Sequence, residues 1–433
     1  TNYKKYLKNV KQCLDDAVYG QDEAKKQIEQ IIAQWINGEM KGYCFGFEGP
    51  AGTGKTSLAK NGIAKCLIDD NSKSRPFAFI ALGGTCNGST LEGHNYTYVG
   101  STWGRIVDIL MDVECMNPII FIDELDKVSR TEHGKEIIGI LTHLTDPTQN
   151  DQFNDKYFSG IDIDLSRVLF IFSYNDYSLI DPILADRIHR VKFKRLSKKD
   201  KFKISRDYIL PELLTIVGFN KSTIIFPDDV LEYIINNYTY EAGARKLKEK
   251  LFEIIRDINL KYLQGEFDDI TLPFKVTIDL INDIFRDKSK VTIKKISDIP
   301  KVGHVNGLYA TSSGIGGLTI IEAFKTPSES KLSLELTGQQ GDVMKESMKV
   351  AKTVAWNLLP TNIKKDIWKD MDDNSPFGIH IHCPEAAVPK DGPSAGIAIT
   401  LAIVSLLCNI PIKNTIALTG EIDLNGFIHE IGG

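Results

Sequence analysis

Long apolar runs are missing from this sequence, and no stretch reads as a secretory signal, which argues against a membrane-spanning or secreted chain. An excess of positive charge is missing too. The 52 lysines and arginines face 57 acidic residues, and a net charge of −5 does not suit a general nucleic-acid binder. Cysteine is scarce: seven, at positions 13, 44, 66, 86, 115, 383 and 408, odd in number and scattered. That pattern excludes a paired disulfide framework. It suits a reducing compartment, the cytoplasm or an organelle matrix, with most of the thiols acting as small buried apolar groups. Low-complexity segments and internal repeats are absent as well, which removes solenoids and polar tethers.

What is present is an ordinary globular composition, 42% apolar and 25% charged, over 433 residues. That length is too great for one core and predicts two or three domains. The first two hundred residues alternate short apolar strands with helical stretches, which predicts a parallel α/β sheet. The strands are expected at 43–48, 76–82, 118–123, 167–173 and 190–194. Past Leu196 helical periodicity takes over through Tyr262, with interruptions expected at the prolines near 211 and 227.

The first strand runs into "GPAGTGKT", Gly49 to Thr56, and a helical pattern follows. Strand, glycine-rich loop and helix in that order form the phosphate-binding loop. Its glycines Gly49, Gly52 and Gly54 let backbone N–H groups wrap phosphates at a helix N-terminus, with Pro50 and Thr53 completing the turn. Lys55 is placed to reach the β- and γ-phosphates of ATP, and Thr56 to ligate Mg2+. The third strand ends in "FIDELDK", delivering Asp123 and Glu124 as a magnesium-organising and water-activating pair. The fourth ends in "SYND", where Asn175 could orient the attacking water. "DPILADRIHR" supplies Arg187, which reads as a surface ion-pair partner or, in a ring, a finger reaching a neighbour's nucleotide. "EAGARKLKEK" places Arg245 at the start of a basic helix, either a solvated face or a lid arginine sensing the γ-phosphate.

Near the other end, "PKDGPSAGIAIT" sets Ser394 directly before the apolar helical run "AGIAITLAIVSLLC". A helix N-terminus favours negative charge, and the small neighbours Gly392, Ala395 and Gly396 leave room for a peptide and an oxyanion. The bland reading is an N-cap serine. The chemical reading is a nucleophile, which requires a base. His380 and His382 share one face of an expected strand and, with Asp391, could suggest a triad; they read better as strand packing. The other base is a lysine made neutral by desolvation. Lys390 and Lys413 are the lysines nearest in sequence.

Taken in order, "VYGQDEAKKQI", "GPAGTGKTSLAK", "LEGHNYTYVGSTWGRI", "IIFIDELDKV", "LTDPTQNDQFNDKY", "YEAGARKL", "LTGQQGDVMKES" and "PKDGPSAG" resemble the Lon-type ATP-dependent serine proteases, from about Val18 to Gly433. The resemblance implies an α/β P-loop AAA+ module (1–195) with an α-helical lid (196–270), a linker (271–302) and an α+β protease domain (303–433). It makes Lys55 and Thr56 Walker A contacts, Asp123 and Glu124 the Walker B pair, Asn175 sensor 1, Arg187 a finger acting in trans and Arg245 sensor 2. Tyr19 falls near the adenine, and Tyr98 and Val99 on a substrate-gripping pore loop. It further implies a homohexameric ring, unfolded or damaged proteins as substrates, and no membrane or nucleic-acid partner. The family's dyad lysine sits four residues past the glycine pair that here is Gly432–Gly433. With Thr1 in place of an initiating methionine and this stop, the sequence reads as a fragment without the recruitment domain and the lysine. An ATP-driven unfoldase without peptidase activity is therefore the alternative; a nucleic-acid remodelling module is disfavoured by the acidic balance.

Overall fold

The computed structural model describes residues 2–38, 44–68, 72–83, 87–128, 132–220, 222–265, 273–291, 296–310, 316–338, 341–384 and 392–431. The chain divides into two units, 1–291 and 292–433.

In the first unit five parallel strands form one sheet: β1 (Cys44–Glu48), β2 (Phe77–Ala81), β3 (Ile119–Asp123), β4 (Leu169–Tyr174) and β5 (His189–Lys192). They stand in the order β2-β3-β4-β1-β5. All five fall where the sequence pattern places strands. The central strands β1, β3 and β4 are apolar almost throughout because both faces are covered, whereas the edge strands β2 and β5 are partly exposed and β5 is largely polar. Along β3 and β4 alternate residues feed opposite cores: Ile120, Ile122, Phe170 and Phe172 on one face, Ile119, Phe121, Leu169 and Ile171 on the other. Helices α1 (Asn2–Ala17) and α2 (Asp22–Asn37) bury Leu14, Ile28 and Ile32 in the second of these cores. The first core takes the buried faces of α3 (Arg105–Val113) and α4 (Glu132–Thr145). On β1, Gly46 has no side chain because Ile188 and Tyr174 fill its place; an added Cβ would lie 2.3 Å from Ile188 Cγ2.

The lid core is helical, around Leu231, Ile234, Leu247, Leu251 and Ile254. Here the structure departs from the expected interruption at Pro211. Helix Lys198–Ile204 continues through a π-helical stretch, Ser205–Ile209, into Leu210–Val217. Proline lacks an N–H and crowds the preceding turn, and a wider turn accommodates both defects without ending the helix. Pro227 does mark a boundary, before Asp228–Tyr238. The stretch expected as linker, 271–302, is partly folded. Phe274–Lys275 pairs with Ile224–Ile225, and Ile281 and Phe285 are buried in the lid core.

In the second unit β6 (His304–Ala310), β7 (Gly316–Pro327), β8 (Leu334–Thr337), β9 (Phe377–His382) and β10 (Ala417–Leu418) form a mixed sheet ordered β8-β9-β7-β6-β10. β6–β7 and β7–β9 are antiparallel, while β8–β9 and β6–β10 are parallel. Helices Asp342–Leu358 and Gly396–Cys408 supply much of its core, including Met348, Ala351, Ile399 and Ile403. None of the described cysteines forms a disulfide.

One buried charge holds a surface loop of the first unit. Asp155 is fully buried, accepting the N–H of Gly104 at 2.8 Å and of Tyr157 at 2.9 Å. His94 N–H donates to Thr102 O at 3.0 Å and closes the base of the loop carrying Tyr98 and Val99. Asp155→Ala leaves two buried donors unpaired, and the expected loss is about 2 kcal/mol. Urea unfolding checks this as a lower midpoint at unchanged slope, with Asp155→Asn intermediate.

Candidate nucleotide and serine sites

The C-terminal ends of β1, β3 and β4 converge on one side of the sheet, where open α/β sheets hold their ligands. A cavity of about 960 Å³ opens there, against the lid. Tyr19, Gly52, Thr53, Gly54, Lys55, Thr56, Asp123, Glu124, Asn175 and Arg245 all line it. Sequence positions as far apart as 19 and 245 therefore share one cleft.

The loop after β1 turns on glycines with left-handed backbone: Gly52 at φ 77° and Gly54 at φ 98°. Each is also tightly overlaid. A Cβ on Gly52 would meet Arg245 N at 2.9 Å, and one on Gly54 would meet Val18 Cγ1 at 2.8 Å. Lys55 opens the helix that follows; Lys55–Ser57 continues through a π-helical Leu58–Ile63. Its ammonium donates to the carbonyl of Gly49, to Pro50 O at 3.4 Å, Tyr174 O at 3.3 Å and Asn175 Oδ1 at 3.2 Å. Gly49 and Pro50 thus contribute through their carbonyls. Burial pushes Lys55 down to about 8, against the raising influence of Asp123, Asp126 and Glu48. Thr56 is exposed to the cleft, whereas Thr53 is buried and donates to Pro50 O at 2.8 Å.

Asp123 Oδ1 accepts Glu124 N–H at 2.9 Å. Glu124 has left-handed backbone, φ 62°, unusual for a side-chain-bearing residue. Its carboxylate pairs with Lys127, and it packs so closely on Gly83 that a Cβ there would lie 1.6 Å from Glu124 Oε2. Asn175, exposed at the end of β4, is brought to Lys55 through its side chain.

The lid side is backbone on backbone. Ala244 N–H donates to Gly52 O at 3.0 Å, and a Cβ on Gly243 would sit 2.2 Å from Ala51 O. Helix Arg245–Leu263 then begins, and the Glu241 carboxylate accepts the N–H groups of Lys246 and Leu247 at 2.9 and 2.8 Å. That carboxylate satisfies two otherwise orphaned donors of the first turn. Arg245 is largely exposed, 3.8 Å from Glu249. Tyr19 lies under Lys203, whose Nζ is 4.8 Å from the ring centroid.

Arg187 is not among the residues lining the cavity. Its guanidinium donates to Ile183 O at 3.1 Å and to Asp146 at 3.2 Å. Asp146 is pushed down to about 2, first by the Thr148 hydroxyl and N–H and then by Arg187. Tyr98 and Val99 stand on the Asp155-clamped loop, Tyr98 66% exposed and Val99 wholly so. Sequence reasoning passed over Asp126, Glu241 and Asp146. Asp126 was legible as a third acid in "FIDELDK"; Glu241 and Asp146 carry no local signal, because their partners are defined only by folding.

In the second unit Ser394 lies in the one-turn 3-10 helix Pro393–Ala395, which leads into Gly396–Cys408. Neither helix has a side-chain cap hydrogen bond, so the serine is not spent as an N-cap. The turn is held by its backbone. Ser394 O accepts Gly420 N–H at 2.7 Å and the Thr419 hydroxyl at 2.9 Å, and Ser347 Oγ lies 3.3 Å from Pro393 O. His380 and His382 both engage the Thr337 hydroxyl, at 2.8 and 2.7 Å, consistent with strand packing. Lys390, Asp391, Gly432 and Gly433 lie outside the described residues.

A parallel sheet bearing a P-loop, with a helical lid touching that loop, defines a P-loop nucleotide-binding module, followed in the chain by an α+β unit. Comparison with known proteins agrees and goes further. Residues 45–196 match the ATPase family associated with various cellular activities, 216–270 the Lon protease AAA+ ATPase lid domain, and 275–433 the Lon protease (S16) C-terminal proteolytic domain. A Lon protease homolog of Acanthamoeba polyphaga mimivirus is 37% identical over 491 residues, covering 100% of this chain and 47% of the relative. The Lon protease of Campylobacter concisus is 36% identical, covering 99% and 54%, and that of Aquifex aeolicus 37%, covering 99% and 51%. This chain belongs to the Lon protease family. It spans about half the length of the curated relatives it matches. The AAA module is a nucleotide-binding module, and among the described residues no helix is long and apolar enough to cross a membrane.

The position of Lys55 has a pH consequence. With a pKa near 8, it is largely neutral above that pH. Phosphate charge favours its protonated form, so nucleotide binding above pH 8 takes up a proton, and affinity falls by at most about tenfold per pH unit. Calorimetric titration in buffers of different ionisation enthalpy checks the uptake; Lys55→Arg abolishes it. For stability the sign is opposite. The unfolded lysine protonates first as pH falls from 10.5 to 8, so the folded unit loses stability through that window and gains none below it.

Proposed function

We propose that this protein is an ATP-dependent serine endopeptidase of the Lon type, using ATP hydrolysis to unfold and thread protein substrates to Ser394. The observation that carries the reading is that one chain holds both a lid-covered P-loop cleft built around Lys55 and an uncapped serine turn built around Ser394.

In the cleft, the P-loop N–H groups and Lys55 hold the triphosphate, and Tyr19 lies toward the base. Glu124 takes a proton from the attacking water, and Asn175 orients that water. Arg245 reports on the γ-phosphate from the lid. The Thr56 hydroxyl and the Asp123 carboxylate, both lining the cleft, are hard oxygen donors that fit Mg2+. When bound, the cation neutralises charge developing on the phosphates. Arg187 serves a neighbouring subunit in a homohexameric ring, a role supported by its absence from its own chain's cleft lining. Tyr98 and Val99, exposed on a loop pinned at its base, suit gripping an unfolded chain without reading its sequence. Ser394 attacks the peptide carbonyl with a desolvated lysine as base, as in the family's Ser-Lys dyad. The odd, scattered cysteines support a cytoplasmic or organelle-matrix setting.

The two chemistries separate by mutation. In the full-length protein Lys55→Ala abolishes nucleotide binding, whereas Glu124→Gln retains binding and loses at least about 100-fold in ATP turnover. Ser394→Ala removes peptide cleavage and leaves ATPase intact, while His380→Gln and His382→Gln retain most cleavage. Fluorogenic-peptide and phosphate-release assays side by side check this; cleavage surviving Ser394→Ala would overturn the nucleophile.

Tyr98→Ala spares cleavage of a short unstructured peptide and slows degradation of a folded substrate by about tenfold or more. Equal losses on both substrates would assign Tyr98 to packing instead.

A further inference from the structure

The turn after β3 holds a third carboxylate that neither a phosphate-binding nor a water-activating role accounts for. Asp126 sits in the 3-10 turn Leu125–Lys127. One of its oxygens, Oδ2, accepts two backbone N–H groups from another part of the chain, Asn175 at 3.0 Å and Asp176 at 3.3 Å. Those residues leave β4, where the ladder has ended and nothing in the strand can hold them. Asp176 only organises the turn beyond, accepting Ser178 N–H at 2.9 Å. The Asn175 side chain, in turn, accepts from Lys55 at 3.2 Å. The contacts run from the acidic turn through one peptide to the amide that faces the P-loop.

We infer that Asp126 is the positioning residue of the ATPase site: its carboxylate fixes the backbone at Asn175 and Asp176 and thereby holds the Asn175 amide beside Lys55, where it orients the attacking water. The inference rests on the ATPase reading above and names the group that sets its geometry. A carboxylate suits this task. It accepts two N–H groups on one oxygen, and charge-assisted bonds of this kind are roughly twice as strong as neutral ones. The same short turn carries Glu124, because Lys127 N–H donates to Glu124 O at 3.0 Å. The water-activating glutamate and the water-orienting asparagine are therefore held by a single rigid turn. A displacement of about 1 Å at a reacting group is enough to lose on the order of 100-fold in rate, so such a clamp has catalytic weight without touching substrate.

The test uses full-length protein carrying Asp126→Ala, Asp126→Asn, Asn175→Ala and the double variant Asp126→Ala/Asn175→Ala. Amide hydrogen exchange reads the clamp directly. Exchange at Asn175 and Asp176 accelerates in Asp126→Ala and stays near wild type in Asp126→Asn, which keeps an oxygen acceptor. Steady-state kinetics read the consequence. Asp126→Ala lowers the ATPase kcat by about 10- to 100-fold with KM changed by less than about threefold, and Asp126→Asn recovers most of it. In the double variant kcat equals that of Asn175→Ala alone, because the clamp acts through that side chain. Unchanged exchange at both amides in Asp126→Ala overturns the clamp. Multiplicative losses in the double variant overturn its action through Asn175. A wild-type kcat in Asn175→Ala with accelerated exchange in Asp126→Ala instead overturns the role given to Asn175 and leaves the clamp standing. If Asp126→Ala fails to fold, Asp126→Asn and Asp126→Ser carry the same comparison.

Discussion

The nucleotide cleft depends on a cation enclosed by carbonyls. Lys55 carries its ammonium into a cage made by Gly49, Pro50, Tyr174 and Asn175, groups from the ends of two neighbouring strands. β1 and β4 are paired in register, Glu48 opposite Tyr174, so the cage exists only because those strands lie side by side. In the proposed ATPase reading this ammonium exchanges its carbonyl partners for phosphate oxygens. Burial lowers the pKa of Lys55 to about 8, and Asp123, Asp126 and Glu48 offset it only in part.

Around this cation the site is assembled from short, stiff connections. The lid meets the P-loop through the backbone of Gly243 and Ala244 on Ala51 and Gly52, an approach that side chains would prevent. The acidic turn meets the end of β4 through Asp126. The lid is thus joined to the P-loop by main-chain contacts, and the acidic turn to the end of β4 by the Asp126 carboxylate.

The serine unit solves a different problem with similar means. A hydroxyl that is to act as a nucleophile must be held still and left free to meet its base. Here the Ser394 carbonyl is fixed by Gly420 and Thr419, and Ser347 braces the preceding Pro393, while the helix that follows has no side-chain cap. The histidines on β9 are occupied with Thr337, which fits a structural part for them.

Much of this was legible in the sequence, and the reason is physical. A strand buried on both faces must be apolar throughout, so the three central strands of the first sheet announce themselves. A backbone that wraps phosphates must be glycine-rich, so "GPAGTGKT" does as well. Ser394 before a small-residue helix start was equally readable. The sequence could not show which carboxylate reaches which backbone. Asp126 reaches Asn175 across 49 positions and Arg187 reaches Asp146 across 41, distances that no local pattern encodes. Nor did it show that the helix carries on through Pro211 by way of the π-helical stretch just before it, because that wider turn is not encoded in periodicity. Local chemistry and periodicity determined the elements and the reactive groups; only the packing of the sheet and lid decided which of those groups meet, because hydrogen bonds are made by proximity in space.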